Sequence, residues 1–124
     1  MQAKIQDVQP ICAVDYAFRR IGGKYKGRLL WYLHNHQVLR YGELRRSIVD
    51  ITPKMLTQTL RELEEDGLIH REVYHEVPPK VEYRLTTVGQ ELVPFIEHLR
   101  DWGMQQMRKE NIPMIGDTNC ITND

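Results

Sequence analysis

Lys54, Thr57, Gln58 and Arg61 lie within eight positions of one another, and their side chains can grip phosphates and read base edges. An arginine can reach guanine through two parallel hydrogen bonds, and a glutamine can do the same with adenine. Thr52, just upstream, can meet a phosphate together with the free amides of a helix start. Arg45 and Arg46 would brace the backbone from the preceding stretch, and Lys80, further along, would reach backbone or minor groove. Taken alone, Lys54, Gln58 and Arg61 also fit an ordinary solvated helix face. Cys12 offers a second chemistry. A thiol reacts as thiolate and its pKa falls near a helix N-terminus, yet free cysteine is among the most buried residue types, which favours an inert packing group. His34-Asn35-His36 lacks the cysteine or carboxylate cluster that would complete a metal site. No glycine-rich phosphate loop, serine elbow or carboxylate pair is present, so no catalysis, metal or cofactor is expected.

The elements that must hold these residues follow from spacing. Thr52 can cap a helix, and Pro53 suits its first turn, where a missing N–H costs nothing. Lys54 to Asp66 holds no glycine or proline, and Gly67 supplies the stop. At about 100° per residue, Leu56, Leu60 and Leu63 fall in one arc, while Lys54, Thr57, Gln58 and Arg61 fall opposite. Leu68 to Tyr74 and Val81 to Leu85 read as strands, the second alternating Val81, Tyr83 and Leu85 with Glu82 and Arg84. Between them His75 to Lys80 makes a tip stiffened by Pro78-Pro79 and ending in a cation. Upstream, Tyr41 to Ile48 reads as a short helix with Leu44 and Ile48 inward and Glu43, Arg45 and Arg46 outward. Val49-Asp50-Ile51 then forms a three-residue turn, which is helix-turn-helix spacing. The expected fold is mainly α with a small β-hairpin wing: a winged helix-turn-helix.

Towards the ends, Met1 to Ile11 reads as an arm and Cys12 to Ile21 as a first helix, broken by Gly22-Gly23. Lys24 to His34 forms a second helix, with apolar residues on two sides, and His36 to Arg40 a connector. The last helix is capped by Thr86 or Thr87, the capping-box spacing to Gln90 favouring Thr87. It runs to Lys109, with Pro94 inside it as a kink and an apolar stripe of Leu92, Ile96, Leu99, Gly103 and Met107. The chain thus divides into an arm (1–11), one domain (12–110) and a tail (111–124). The first and last helices carry more apolar surface than one small core covers, which predicts a homodimer joined through them. Two recognition helices set about 34 Å apart would then match a two-fold site in double-stranded DNA. An apolar stripe that merely closes the monomer core is the competing reading.

Bulk properties agree with a DNA-facing surface. The net charge is zero, but residues 19–61 hold ten bases against two acids, while residues 62–124 hold thirteen acids against six bases. A split of this kind lets one face meet a polyanion. No apolar run approaches the roughly 18 residues of a membrane span, and no signal pattern opens the chain. Two cysteines, Cys12 and Cys120, are too few for a disulfide framework, so a reducing cytoplasm is expected.

Seven segments resemble the HxlR-type transcriptional regulators, winged-helix proteins related to the MarR group. They are Cys12-Ala13-Val14, Gly22-Gly23-Lys24-Tyr25, Tyr41-Gly42-Glu43-Leu44-Arg45, Ile51 to Thr57, Leu60 to Ile69, Pro78-Pro79-Lys80-Val81-Glu82-Tyr83 and Trp102-Gly103. The resemblance implies a homodimer that binds operator DNA, often as a repressor, with Cys12 at the position of a cysteine that senses oxidants or electrophiles in several members. The chain departs from the family pattern at Ala13, where proline commonly follows the cysteine, and at Thr87, where proline follows Thr86. Tyr25 and Tyr41 keep an aromatic where tryptophan and phenylalanine are usual. A winged-helix module used only for protein–protein contact is the rival function, and a thiol enzyme a remoter one, since no base or resolving partner can be assigned to Cys12.

Overall fold

Leu29, Leu30, Trp31, Tyr32 and Leu33 are five consecutive buried residues, and a helix buried on every side must lie at the centre of its domain. That helix is the second element of a computed structural model that describes residues 8–115. Most of the expected arm and tail, and Cys120 with them, lie outside the described residues. The order is α1 (Ala13–Ile21), α2 (Lys26–His36), β1 (Leu39–Arg40), α3 (Tyr41–Ser47), α4 (Pro53–Glu65), β2 (Ile69–Tyr74), β3 (Lys80–Leu85), α5 (Thr87–Glu91) and α6 (Val93–Lys109). Helices surround a three-stranded antiparallel sheet ordered β1-β3-β2. The β2–β3 hairpin is the expected wing, and the architecture is a winged helix-turn-helix.

Four differences from the expected elements have identifiable physical causes. Helix α2 starts two residues late because Gly23 to Tyr25 forms a bend, and Tyr25 is its N-cap. The connector contains β1, in which Leu39 pairs with Tyr83 and Arg40 with Glu82. The expected long last helix is two helices that meet at Leu92, which is at once the C-cap of α5 and the N-cap of α6. Pro94 therefore sits in the first turn of α6, where no backbone bond is lost, rather than kinking a continuous helix. Lastly, Thr86 and not Thr87 is the cap: its Oγ1 accepts from the Gly89 amide at 3.0 Å and donates to the Gly67 carbonyl at 2.6 Å. That second bond ties the start of α5 to the end of α4, which a local capping-box argument cannot weigh.

Two glycines are required by geometry. Gly67 has φ +75°, and the Leu68 amide returns to the Leu63 carbonyl at 3.0 Å, so α4 stops in a left-handed cap. Gly89 is buried, and a Cβ there would stand 2.1 Å from the Leu68 carbonyl oxygen. Gly89→Ala is therefore expected to destabilise the fold by about 2 kcal/mol or more, as overpacking against rigid backbone does. Gly103→Ala, where an added Cβ meets nothing within 4 Å, should instead stabilise by about 0.5–1 kcal/mol through helix propensity. Urea denaturation of the two variants would check both signs.

Candidate nucleic-acid interface

Helix α4 buries Leu56, Leu60 and Leu63 and leaves Lys54, Thr57, Gln58 and Arg61 exposed. Its start is fixed by Thr52, whose Oγ1 accepts from the Met55 amide at 3.1 Å. The four side chains share one face but not one state. Neither Lys54 nor Arg61 has an acid within ion-pairing distance among the described residues. Thr57 Oγ1 lies 3.2 Å from the Tyr41 hydroxyl, which also reaches the Pro53 carbonyl at 3.3 Å. Thr57 thus helps to lock α3 against α4. Gln58 donates to Glu62 at 2.8 Å, and Glu62 also pairs with Lys26 at 3.1 Å. The Gln58 hydrogen bond, then Lys26, holds the Glu62 carboxyl below its ordinary range, so Gln58 must leave this partner to read a base.

Arg45 and Arg46 are exposed on α3. Arg40, just before α3, is exposed too, and its amide donates to the Glu43 carboxylate at 2.8 Å. The spacing of the sequence did not single out Arg40, because the two-residue strand that carries it has no detectable period. Lys80 does not project from the tip. It opens β3, with its ammonium 4.4 Å above the Tyr74 ring and 3.9 Å from Glu82. Val77 is the outermost tip residue, at 99% exposed. On the outer face of the wing Glu72 stands opposite Glu82, and each of these like charges has a neighbouring polar partner. His70 bonds Glu72 at 2.7 Å and lowers its pKa, while Arg84 lies 3.8 Å from Glu82.

The charge surplus is also narrower than the sequence suggests. Arg20 pairs with Asp66, Lys26 with Glu62, and both Lys24 and Arg28 with Asp50. Among the described residues, Arg19 on α1 and the group Arg40, Arg45, Arg46, Lys54 and Arg61 on β1, α3 and α4 have no acid within ion-pairing distance. Asp50 lies in the turn between α3 and α4. It accepts from Arg28 Nη1 at 3.0 and 3.1 Å, and its backbone carbonyl accepts from the Tyr25 hydroxyl at 2.9 Å. The turn that aims α4 is therefore fastened to α2 by both side chain and backbone.

Cys12 is exposed at the N-cap of α1 and not buried as residue type alone would favour. The backbone amides of Asp15 and then Val14 bring its thiol below the ordinary thiol pKa, against a smaller opposing effect of burial. Among the described residues no group of three or more His, Cys, Asp or Glu side chains could hold a metal, and no helix is long and apolar enough to cross a membrane.

Burial raises the Asp50 carboxyl pKa, but the Arg28 hydrogen bond and the Asp50 amide outweigh it, leaving the pKa below the usual value. A depressed carboxylate pKa adds stability that is complete above the unfolded value of about 3.9 and is lost as pH falls through the folded value. Asp50→Asn, which keeps the Tyr25 bond, should cost about 1–2 kcal/mol at pH 7. That gap from the wild type should narrow as the pH falls below the unfolded value and close only once it passes through the depressed folded value, where the wild-type carboxylate takes up its proton. Urea midpoints of the two chains across this range would check it.

The surroundings of this geometry are shared with known proteins. The helix-turn-helix regulator YdeP of Bacillus subtilis (strain 168) is 53% identical over 92 residues, which are 74% of this chain and 71% of that one. The structure of the redox regulator HypR in its oxidized form is 48% identical with a TM-score of 0.72, covering 76% of this chain and 96% of that one. Diamide-treated YodB from B. subtilis is 31% identical with a TM-score of 0.65, covering 78% and 96%. These similar proteins are regulators rather than enzymes. The model of the HxlR-like helix-turn-helix family matches residues 20–111, and with the winged helix and its exposed α4 in place, the chain belongs to that family of transcriptional regulators.

Proposed function

We propose that this chain is a sequence-specific regulator, acting in the cytoplasm as a homodimer on a pseudo-palindromic operator, most simply as a repressor. One observation carries the reading: α4 buries its leucine stripe and turns Lys54 and Arg61 outward, with no acid within ion-pairing distance among the described residues, while the preceding α3 exposes Arg45 and Arg46. In this reading Arg61 and Gln58 read bases, while Thr52, Lys54, Arg45 and Arg46 meet phosphates. Thr57 is a positioning residue through Tyr41. Lys80, folded over Tyr74, contributes general charge and no sequence information.

The dimer part rests on apolar surface. Val14 and Phe18 of α1 and Phe95, Leu99 and Trp102 of α6 are exposed, with Trp102 59% accessible. Phe18 and Phe95 already meet edge-on at 6.2 Å, so the patch is continuous across the two helices. A two-fold partner would cover it and duplicate α4. Cys12 lies at the start of α1, within two residues of Val14. Oxidation or alkylation there would change the edge of that patch, which supports a thiol-responsive regulator, and the similar protein HypR is a redox regulator.

The test is binding to genomic fragments selected by the chain. Affinity should fall steeply with salt as phosphates release counterions, and a flat slope would favour a protein–protein module instead. Arg61→Ala should cost about 1–3 kcal/mol and relax preference at one base pair, whereas Lys80→Ala should weaken specific and random DNA alike and only slightly. Light scattering at micromolar concentration should give the mass of two chains. Alkylating Cys12 should release bound DNA from the wild type and leave Cys12→Ser bound; release from both would remove Cys12 from the mechanism.

A further inference from the structure

Of the four outward side chains of α4, Gln58 is the one held by an acid among the described residues. The two oxygens of that acid are engaged on different sides. Glu62 Oε1 lies 3.1 Å from the Lys26 ammonium on α2, and Glu62 Oε2 accepts from Gln58 Nε2 at 2.8 Å. Gln58 and Glu62 stand four residues apart on the helix, the spacing at which such side chains meet. A carboxylate can only accept, so the amide is held by its nitrogen and not by its carbonyl. The Lys26 side chain is mostly covered, at 16% exposed against 41% for Glu62. The carboxylate is therefore anchored towards the body of the protein, and it draws the Gln58 amide back with it. Gln58 and then Lys26 keep the Glu62 carboxyl below its ordinary pKa range, and an ionised acceptor is stronger than a neutral one.

A base must outbid that acceptor. Adenine offers the amide both an acceptor, N7, and a donor, N6. Guanine offers two acceptors, thymine one acceptor beside a methyl group, and cytosine one donor. With these three bases Gln58 would exchange a charge-assisted hydrogen bond for a single neutral one, which is a loss. When adenine draws Gln58 away, Lys26 still partners the carboxylate, so no bare charge is stranded.

We propose that Glu62 is a specificity-determining residue that works through Gln58. It competes with the base pair for the Gln58 amide, so Gln58 responds to adenine alone, and with a weaker preference than an unheld glutamine would show. This role deepens the DNA-binding reading above and rests on it; the contact between Gln58 and Glu62 does not.

Two measurements on the full chain test the role. Without DNA, the nuclear magnetic resonance signals of the Gln58 side-chain amide should shift as Glu62 takes up its proton at acid pH, and this shift should be absent in Glu62→Ala. An amide that does not follow Glu62 would overturn the proposal whatever the chain binds. With DNA, fluorescence anisotropy is measured on a selected genomic fragment and on copies changed at the base pair where Gln58→Ala loses preference. The wild type should prefer adenine there. Glu62→Ala should prefer it about threefold more strongly, as release from one hydrogen bond allows, and the gain should vanish when Gln58→Ala is added. Glu65→Ala removes the same charge from another exposed position of α4, and should tighten binding to every copy alike. It separates competition for the amide from simple repulsion of phosphates. An equal gain on all copies in Glu62→Ala, or a gain that persists without Gln58, would overturn the proposal. So would a preference for adenine that falls in Glu62→Ala, because Gln58 would then be held ready for the base and not away from it, or a Gln58→Ala chain that loses preference at no base pair. A chain whose Gln58 amide follows Glu62 but which binds no selected DNA would overturn the DNA-binding reading itself, and the role of Glu62 only through it.

Discussion

The burial of three leucines on α4 is the constraint from which the rest of the structure follows. Leu56 and Leu63 are fully buried and Leu60 nearly so, which fixes the rotation of the helix about its axis. A helix has only one face to give to the core. Once the leucines take it, Lys54, Thr57, Gln58 and Arg61 can point only outward. The helix's position along its axis is fixed separately, by the Thr52 cap at one end and the Gly67 cap at the other. Its tilt against α3 is set by the Tyr41–Thr57 contact and by the turn tied through Asp50. Rotation comes from apolar burial and aim from polar contacts, so neither kind of interaction alone would present the same face.

Electrostatics divides the basic residues into two groups with different work. Arg20, Lys24, Lys26 and Arg28 hold α1 and α2 against acids on the α3–α4 turn and on α4. Arg40, Arg45, Arg46, Lys54 and Arg61 stand on β1, α3 and α4 with no acid within ion-pairing distance among the described residues. Half-exposed ion pairs of the first group contribute little each, but they consume cations that a count by sequence position would assign to DNA. The same economy shapes the wing. Glu72 and Glu82 face each other across the strands, and His70, Lys80 and Arg84 are drawn in to relieve them. The cations on the outer side of the hairpin are therefore spent on its own acids, unlike Lys54 and Arg61 on α4, which have no acid within ion-pairing distance among the described residues.

What was legible in the sequence was whatever local period and local caps determine. The leucine arc of α4, the Thr52-Pro53 start, the Gly67 stop and the alternation of Val81, Tyr83 and Leu85 all stand where spacing put them. What was not legible depends on partners distant in the chain. The strand β1 exists only because β3 is beside it, and two residues carry no period. Thr86 wins the cap over Thr87 because it also reaches Gly67, nineteen residues away. Lys80 lies over Tyr74 because strand pairing puts them opposite one another. Pro94 looked like a kink because a helix was assumed to run through it; a break at Leu92 removes the conflict altogether. In the candidate interface the residue types were readable, but which of them were already engaged by Tyr41 or Glu62 was not.

The remaining surface has its own logic. An α-helical domain of this size can expose single apolar side chains without consequence, but Val14, Phe18, Phe95 and Trp102 come from only two helices and join through the Phe18–Phe95 contact. At about 25 cal/mol per Å² of apolar area, covering such a strip is worth several kilocalories, and a standard interface needs about 800 Å² from each partner. The helices that carry it are also those that reach Cys12 at one end. The proposed thiol chemistry would thus act on the layer farthest in sequence from α4. Among the contacts described, one route from that layer to α4 runs through α2, whose Arg28 grips Asp50 in the turn before Thr52. A signal that left Arg28 and Asp50 undisturbed would have to travel through the packed leucines instead, where the close fit of the core leaves little room for a second arrangement.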